Sequence, residues 1–139
     1  MTPKQIDLVK KSWDLVLPLA STAGPLFYQK LFELDPALKH LFNKPIDQQV
    51  NKLFAALTFA IKGLDDITLI VATVEALGIK HLDYGIKDKD YETVGTALMW
   101  TLDKALGDSY TEELEAAYIA VYTALANIMN DAAKRVNAA

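Results

Sequence analysis

Cysteine is missing from this chain, so it can form neither a disulfide scaffold nor a thiolate metal site. A chain without cysteine fits a reducing compartment, and we expect a cytoplasmic protein. Histidine is almost as scarce, because His40 and His81 are the only two among 139 residues. Any imidazole ligand for a metal must therefore come from one of these two positions.

Proline is confined to the first third of the chain, where all five prolines lie between positions 3 and 45. Beyond that point apolar residues recur every three or four positions, which is typical of amphipathic helices. No apolar run approaches the roughly 20 residues that span a bilayer, so we expect no membrane segment. The N-terminus starts a polar amphipathic pattern at once, which argues against a signal peptide.

The chain also lacks a large excess of positive or negative charge. Its acidic and basic residues are interspersed and leave a net charge of only -4. This balance argues against nucleic acid or an acidic membrane surface as the partner. With 52% hydrophobic residues, the chain is long enough for one domain with a substantial core. We therefore expect a single domain over residues 1–139 and a monomer.

The caps and turn residues predict an all-α protein with about seven helices and no strand. Their expected starts are Thr2–Pro3, Ser21 or Thr22 (with Pro25 in the first turn), Asp35–Pro36, Asp47, Ile70, Asp88 and Thr111. The expected ends of four of them are Phe42 for the third, His81 for the fifth, Gly107 for the sixth and Arg135 for the last. Only residues 43–46 separate the third helix from the fourth, so we expect no small helix between them.

His81 is the most informative residue, because it shares a helical face with Val74, Leu77 and Gly78. A neutral imidazole is a strong ligand for iron, and its second ring nitrogen could donate to the carbonyl of Leu77 one turn earlier. Taken alone, however, a histidine on an apolar face is more often an ordinary core or surface residue than a ligand.

A second feature is the pairing of Gly24 and Tyr28 on the second helix with Gln49 and Leu53 on the fourth. A glycine lets another helix cross closely, which would bring the phenol and the amide into one apolar crevice. Because buried polar groups need hydrogen-bond partners, such a pair suggests that the crevice binds a polar ligand. The alternative is that the Tyr28 hydroxyl reaches the surface and that Gln49 is simply solvated.

Several segments resemble the globin family. Residues 26–32 (LFYQKLF), Asp35-Pro36 and Leu41-Phe42 are similar to the second and third helices of three-over-three globins. Residues 77–81 (LGIKH) and Val94-Gly95 are similar to the proximal helix and the helix that follows it. The resemblance covers essentially the whole chain and is greatest to single-domain bacterial globins and the neuroglobin-like branch. It implies a three-over-three globin fold around one haem b (iron protoporphyrin IX).

The resemblance also implies roles for individual residues. His81 matches the proximal ligand of the haem iron, and Phe42 matches the phenylalanine that stacks on the porphyrin. Gly24 and Val50 match a close helix crossing that places Tyr28 and Gln49 in the distal pocket and Leu53 over the iron. Further haem contacts are implied for Lys44, Lys52, Leu57, Leu77, Ile86, Tyr91, Val94, Leu98 and Leu125, with the two lysines near the propionates.

The chain departs from the family pattern at two places. Gln49 stands where many globins have a distal histidine, and His40 is expected on the surface, so two histidines are not expected to bind the iron together. Tyr91 matches a tyrosine that supports the proximal histidine in flavohaemoglobins. Ala133, however, stands where those proteins have a glutamate, which argues against a strong electron push through His81.

Two hydrogen-bond donors near the iron imply high oxygen affinity with slow release, since a bond to a partly charged acceptor contributes about 1.5–3 kcal/mol. Slow release favours oxygen scavenging, storage or nitric oxide dioxygenation over bulk transport. The gaseous partners expected are oxygen, carbon monoxide and nitric oxide. The sequence contains no G-x-G-x-x-G and no G-x-x-x-x-G-K-[ST], so a separate reductase is expected. Two alternatives are a haem-based gas sensor that signals to a separate partner and a haem-free helical interaction protein.

Overall fold

The computed structural model describes residues 1–83 and 85–138, and the prediction of an all-α chain is confirmed over these residues. The α-helices are α1 (Pro3–Val16), α2 (Ala20–Leu34), α3 (Ile46–Lys62), α4 (Val71–Asp83), α5 (Asp88–Leu106) and α6 (Glu112–Ala138). Short 3-10 helices span Leu17–Leu19, Pro36–Leu41, Leu64–Leu69 and Gly107–Ser109. Within the described ranges, no helix is long and apolar enough to cross a membrane.

The start of α1 follows the prediction. The Thr2 hydroxyl accepts a hydrogen bond from the backbone N–H of Gln5 at 3.1 Å, and the Gln5 amide oxygen accepts one from the Thr2 N–H at 3.0 Å. This capping box satisfies two N–H groups that the helix itself leaves free, and Pro3 occupies the first turn, where no N–H is needed.

The predicted start of the second helix is wrong. The helix begins at Ala20, before Ser21 and Thr22, and Pro25 lies inside it rather than in its first turn. The chain stays close to helical between α1 and α2, through the 3-10 helix Leu17–Leu19, so no side-chain cap is needed there. Pro25 is tolerated because the carbonyl left without a partner belongs to exposed Ser21, where water can reach it.

The third predicted helix is present as the 3-10 helix Pro36–Leu41. The Asp35 carboxylate caps it by accepting the N–H of Ala37 at 3.1 Å. Residues 42–45 contain no helical turn before α3 begins, so the expectation that no small helix lies there is confirmed. The segment Leu64–Leu69 was not predicted, and its 3-10 turns are interrupted by an extended Asp66 (φ -139°, ψ 88°).

The core lies where α1, α2, α5 and α6 pack together, and α3 packs on α1 and α2. Trp13, Leu31, Leu102 and Tyr118 are each at most 4% exposed. Tyr118 satisfies its buried hydroxyl with the hydroxyl of Ser12 at 2.7 Å, so this polar pair is not left without a partner.

Two glycines allow the close helix crossings that shape the interior. A Cβ atom added to Gly24 of α2 would lie 2.4 Å from the Val50 Cγ1 atom of α3. A Cβ added to Gly78 of α4 would lie 2.4 Å from the carbonyl oxygen of Met129 of α6. Both distances are too short for any larger residue without movement, so the backbone of α2 packs directly on the Val50 side chain of α3, and the backbone of α4 on the backbone of α6.

Candidate cofactor-binding cavity

A cavity of about 210 Å³ lies between α2, α3, α4, α5 and α6. Phe42, from the segment before α3, contributes to its wall. All the apolar residues that the sequence predicted for the site line this cavity, namely Leu53, Leu57, Leu77, Ile86, Val94, Leu98 and Leu125. Tyr28, Tyr91 and His81 line the same space, so residues from positions 28 to 125 converge as the sequence predicted.

His81 is half-buried in the cavity wall near the end of α4. Its Nδ1 atom lies 2.5 Å from the carbonyl oxygen of Leu77, as expected for residues one helical turn apart. A carbonyl oxygen only accepts, so this contact assigns the proton to Nδ1 and leaves the lone pair of Nε2 free. This tautomer is the one that a metal ligand requires.

Tyr28 is 4% exposed, and its hydroxyl donates to the backbone carbonyl of Gln49 at 3.2 Å. The ring is held edge-on against Phe27 and Phe42, with centroid distances of 5.0 and 5.3 Å. Burial raises the pKa of Tyr28 to about 12. The phenol therefore keeps its proton at neutral pH and can act as a hydrogen-bond donor inside the cavity.

Gln49 meets Tyr28 through its backbone carbonyl. The residue is half-buried, and it is not among the described residues that line the cavity. Its neighbour Val50 faces Gly24, and one residue along a helix turns the side chain by about 100°. The sequence thus predicted the proximity of Tyr28 and Gln49, and the contact that forms uses the main chain.

The two lysines predicted near haem propionates lie outside the cavity. Lys44, in the segment before α3, and Lys52, on α3, are both exposed, and neither lines the cavity. His40 is exposed as well, and its ring contacts the carbonyl of Ala37 in its own 3-10 helix. His40 therefore lies on the surface, as the sequence predicted.

The sequence reasoning missed two polar residues of the cavity wall. Asp90 is 4% exposed, and its carboxylate accepts the N–H of Lys87 at 2.9 Å at the start of α5. Tyr122 of α6 donates to the backbone carbonyl of Tyr91 at 2.6 Å. An aspartate three residues after the N-cap residue, here Lys87, is a recognisable capping signal, whereas the Tyr122 contact depends on how α5 and α6 pack and has no local signal.

Tyr91 lies beside His81, with ring centroids 6.2 Å apart. Burial, and then the negative charge of Asp88, raise the pKa of the Tyr91 hydroxyl. Tyr91 therefore lies near His81, as the resemblance implied, while Ala133, at the position where the resemblance implies a glutamate, offers no carboxylate.

The side chains that could bind a metal in this cavity fit a particular kind of cofactor. A single imidazole nitrogen faces an apolar cavity, and such a site fits a metal that brings its other ligands within an organic macrocycle. The cavity is smaller than the roughly 300–1,000 Å³ usual for ligand pockets. Its walls must therefore move apart to admit a group as large as a porphyrin. Over the described residues, the chain is thus an all-α protein that contains an apolar cavity with a histidine in its wall.

Comparison with known proteins identifies the family. A sequence model described as Globin matches residues 26–129, and the chain belongs to the globin family. Proteins of this family bind haem. The prediction of a globin from the sequence is therefore confirmed.

Two kinds of relative are similar over most of this chain. A flavohemoprotein of Vibrio cholerae is 32% identical over 138 residues, which cover 94% of this chain and 34% of that protein. A neuroglobin of Tetraodon nigroviridis is 27% identical over 144 residues, covering 94% of this chain and 91% of that protein. The chain therefore spans about a third of the flavohemoproteins it matches and nearly the whole of the neuroglobins.

Two solved structures share the fold. A bacterial globin from Campylobacter jejuni superposes with a TM-score of 0.88 at 24% identity, covering 99% of this chain and 100% of that one. An engineered carbene transferase, described as a candidate nitric oxide dioxygenase from Rhodothermus marinus, also gives 0.88 at 23% identity, covering 99% and 96%. The predicted globin fold is thereby confirmed.

Proposed function

We propose that this globin binds one haem b through His81 and uses it to bind oxygen reversibly and with high affinity. The observation that carries the proposal is the pairing of two groups in one apolar cavity. The Nε2 lone pair of His81 is left free by the Leu77 contact, and the buried hydroxyl of Tyr28 is held protonated. One group can bind a metal and the other can donate to a polar ligand.

The residues that would hold the haem are those of the cavity wall. His81 would bind the iron, and the Leu77 carbonyl would fix the imidazole tautomer and limit its rotation. Phe42, whose ring packs against Tyr28 and Phe32, would lie against the macrocycle. The surrounding leucines would exclude water, which slows oxidation of a ferrous iron. When bound, ferrous haem supplies the position at which a diatomic gas binds reversibly.

Tyr28 would discriminate between gases. Its present hydrogen bond to the Gln49 carbonyl is 3.2 Å long, which exceeds the roughly 2.5–3.0 Å usual for O–H···O bonds, so the hydroxyl can exchange this acceptor for another at small cost. Haem would supply the electron density that makes oxygen a good hydrogen-bond acceptor, whereas carbon monoxide would gain little. A donated bond therefore favours oxygen and slows its release.

Removal of nitric oxide is the reaction that the relatives favour. Flavohemoproteins match 94% of this chain, and one structural neighbour is described as a candidate nitric oxide dioxygenase. Oxygen, nitric oxide and one electron combine to give nitrate, so one electron must be resupplied for each nitrate formed. Residues 1–139 carry no dinucleotide-binding motif. We therefore propose that a reductase outside this globin domain supplies the electron.

Titration of the purified chain with haem tests the proposal. We expect the change in the optical spectrum to saturate at one haem per chain. The reduced product should then convert between deoxygenated and oxygenated spectra with shared isosbestic points as oxygen is added and removed. Saturation at no defined stoichiometry, or irreversible oxidation on the first exposure to oxygen, would contradict it.

A further inference from the structure

A groove of about 890 Å³ runs along the outer surface between α5 and α6, and we refer to it as the α5–α6 groove. Its lining extends along α5 from Asp88 to Asp103 and along α6 from Glu112 to Asn130. At a rise of 1.5 Å per residue, each helix offers about 22 Å or more of wall, which is enough to accommodate about four turns of another helix.

The two ends of the α5–α6 groove are acidic. Asp88 and Glu92 line one end, and Asp103, Glu112 and Glu115 line the other, because α5 and α6 run antiparallel through a short connection. Within the described part of the chain, none of these carboxylates forms an ion pair. No lysine or arginine is among the described residues that line the groove.

Two lysines contact a tryptophan of the groove. The ammonium groups of Lys30 and Lys104 lie 5.2 and 5.7 Å from the ring centroid of Trp100, which lines the groove near Asp103. Cations at these distances are attracted to the face of the indole. Within the described residues, neither lysine forms an ion pair with a carboxylate of the groove.

The middle of the α5–α6 groove carries apolar side chains beside two exposed threonines, Thr96 and Thr123. Ile119 is 47% exposed, and Met99 is the acceptor of a hydrogen bond from the Tyr110 hydroxyl at 3.5 Å. Gly95 lets Tyr122 of α6 pack closely on α5, because a Cβ there would lie 2.8 Å from Cε2 of Tyr122. The exposed Ile119 side chain thus lies between the two acidic ends.

We propose that the α5–α6 groove binds a basic amphipathic helix of a partner protein. The apolar face of that helix would pack on Met99 and Ile119, and lysine or arginine side chains near its two ends would meet the carboxylates. Charge complementarity selects this occupant. A second copy of this chain would bring the same acidic ends against each other, in a protein whose net charge is already -4.

The position of the groove gives the occupant access to the cavity wall. Tyr91, Tyr122 and Ala126 line both the α5–α6 groove and the cofactor cavity. A bound helix would therefore be separated from the cavity by a single layer of side chains. The partner site is distinct from the cavity, so it goes beyond the proposed function and does not depend on it.

A defined peptide tests the proposal. The probe is a labelled 18-residue helix with lysines at both ends and leucines on one face of its middle, titrated with the full chain by fluorescence anisotropy. Glu92→Gln with Asp103→Asn should weaken binding by roughly three- to tenfold, as expected for loss of two exposed charge contacts. Ile119→Ser should weaken it as well, and circular dichroism checks that both variants remain folded.

The matched control is Asp7→Asn with Asp14→Asn on exposed positions of α1, which removes the same number of negative charges. Its affinity should stay within about twofold of the parent chain. Equal weakening by both double variants would show attraction to overall charge and overturn the proposal. So would a stable dimer, by sedimentation, that Ile119→Asp dissociates, because a second copy would then occupy the groove.

Discussion

The Nδ1 atom of His81 lies 2.5 Å from the carbonyl oxygen of Leu77, one turn earlier on the same helix. This contact fixes three properties of the imidazole at once, namely its tautomer, its rotation and the availability of Nε2. Because the helix repeat sets the spacing, the same arrangement could be anticipated from the sequence. The backbone of α4 thus orients the imidazole and leaves Nε2 available.

The crossing of α2 and α3 gives a prediction about stability. Gly24→Ala forces a Cβ to within 2.4 Å of the Val50 Cγ1 atom, so α2 and α3 must separate. Overpacking of this kind costs about 1–3 kcal/mol of unfolding free energy, which urea unfolding measures. Gly24→Ala combined with Val50→Ala removes the clash and should recover part of the loss. Equal stability of Gly24→Ala and the parent chain would show that the space between α2 and α3 can accept a Cβ atom at this position.

The Tyr28 hydroxyl gives a prediction about gas release. Tyr28→Phe deletes one hydroxyl and keeps the ring contacts with Phe27 and Phe42. Loss of a hydrogen bond to a partly charged acceptor, about 1.5–3 kcal/mol, should speed oxygen dissociation by about ten- to a hundredfold. Stopped-flow ligand replacement measures this rate, and carbon monoxide serves as the control. Equal acceleration of both gases would indicate a steric effect instead.

Buried tyrosines give a prediction about pH. The pKa values of Tyr28 and Tyr118 are both raised by burial to about 12, above the ordinary value of 10.0. Between these values the folded chain keeps protons that the unfolded chain has lost. The stability contributed by these groups is therefore complete below about pH 10 and falls as the pH rises toward 12.

The measurement is the unfolding free energy from pH 9 upward, compared between the parent chain and Tyr28→Phe. The variant should lose stability less steeply, by up to about 1.4 kcal/mol per pH unit, because one titrating group is gone. Identical slopes of unfolding free energy against pH would mean that Tyr28 has its ordinary pKa in the folded chain, which would contradict its burial.

The sequence predicted the positions of the cavity residues better than the details of their contacts. Helical spacing and the globin resemblance brought together His81, Phe42 and Tyr28, which are far apart in sequence. The tyrosine reached the main chain of Gln49 because α3 turns Val50, rather than Gln49, toward Gly24. The resemblance implied the crossing of Gly24 and Val50, which the structure contains, but local patterns do not encode whether Tyr28 then bonds a side chain or the main chain.

The start of a helix was predicted wrongly where no capping side chain is present. Thr2 and Asp35 provide side-chain caps, and both starts were predicted correctly. Ala20 begins α2 without a side-chain cap, since the preceding 3-10 turn runs into it, so Ser21 and Thr22 were misleading. The acidic α5–α6 groove also went unnoticed, because its carboxylates come from two helices whose pairing the sequence pattern did not specify.

The proposed reaction gives a prediction about electron supply. The reduced, oxygenated protein should consume nitric oxide once per haem and then stop, even with NADH present, because the sequence lacks a flavin or nicotinamide motif. An added flavin reductase should restore continuous consumption, which a nitric oxide electrode follows together with nitrate production. Sustained turnover by the isolated chain with NADH alone would refute the need for a second protein.

The most direct test of the account is the optical spectrum of His81→Ala after haem is added, recorded with and without imidazole. We predict that the variant retains little haem, that its reduced spectrum differs from that of the parent chain, and that added imidazole partly restores the parent spectrum. His40→Ala, at the other histidine, should leave the spectrum unchanged. A reduced His81→Ala protein that shows the parent spectrum without imidazole would contradict the central claim that His81 binds the haem iron.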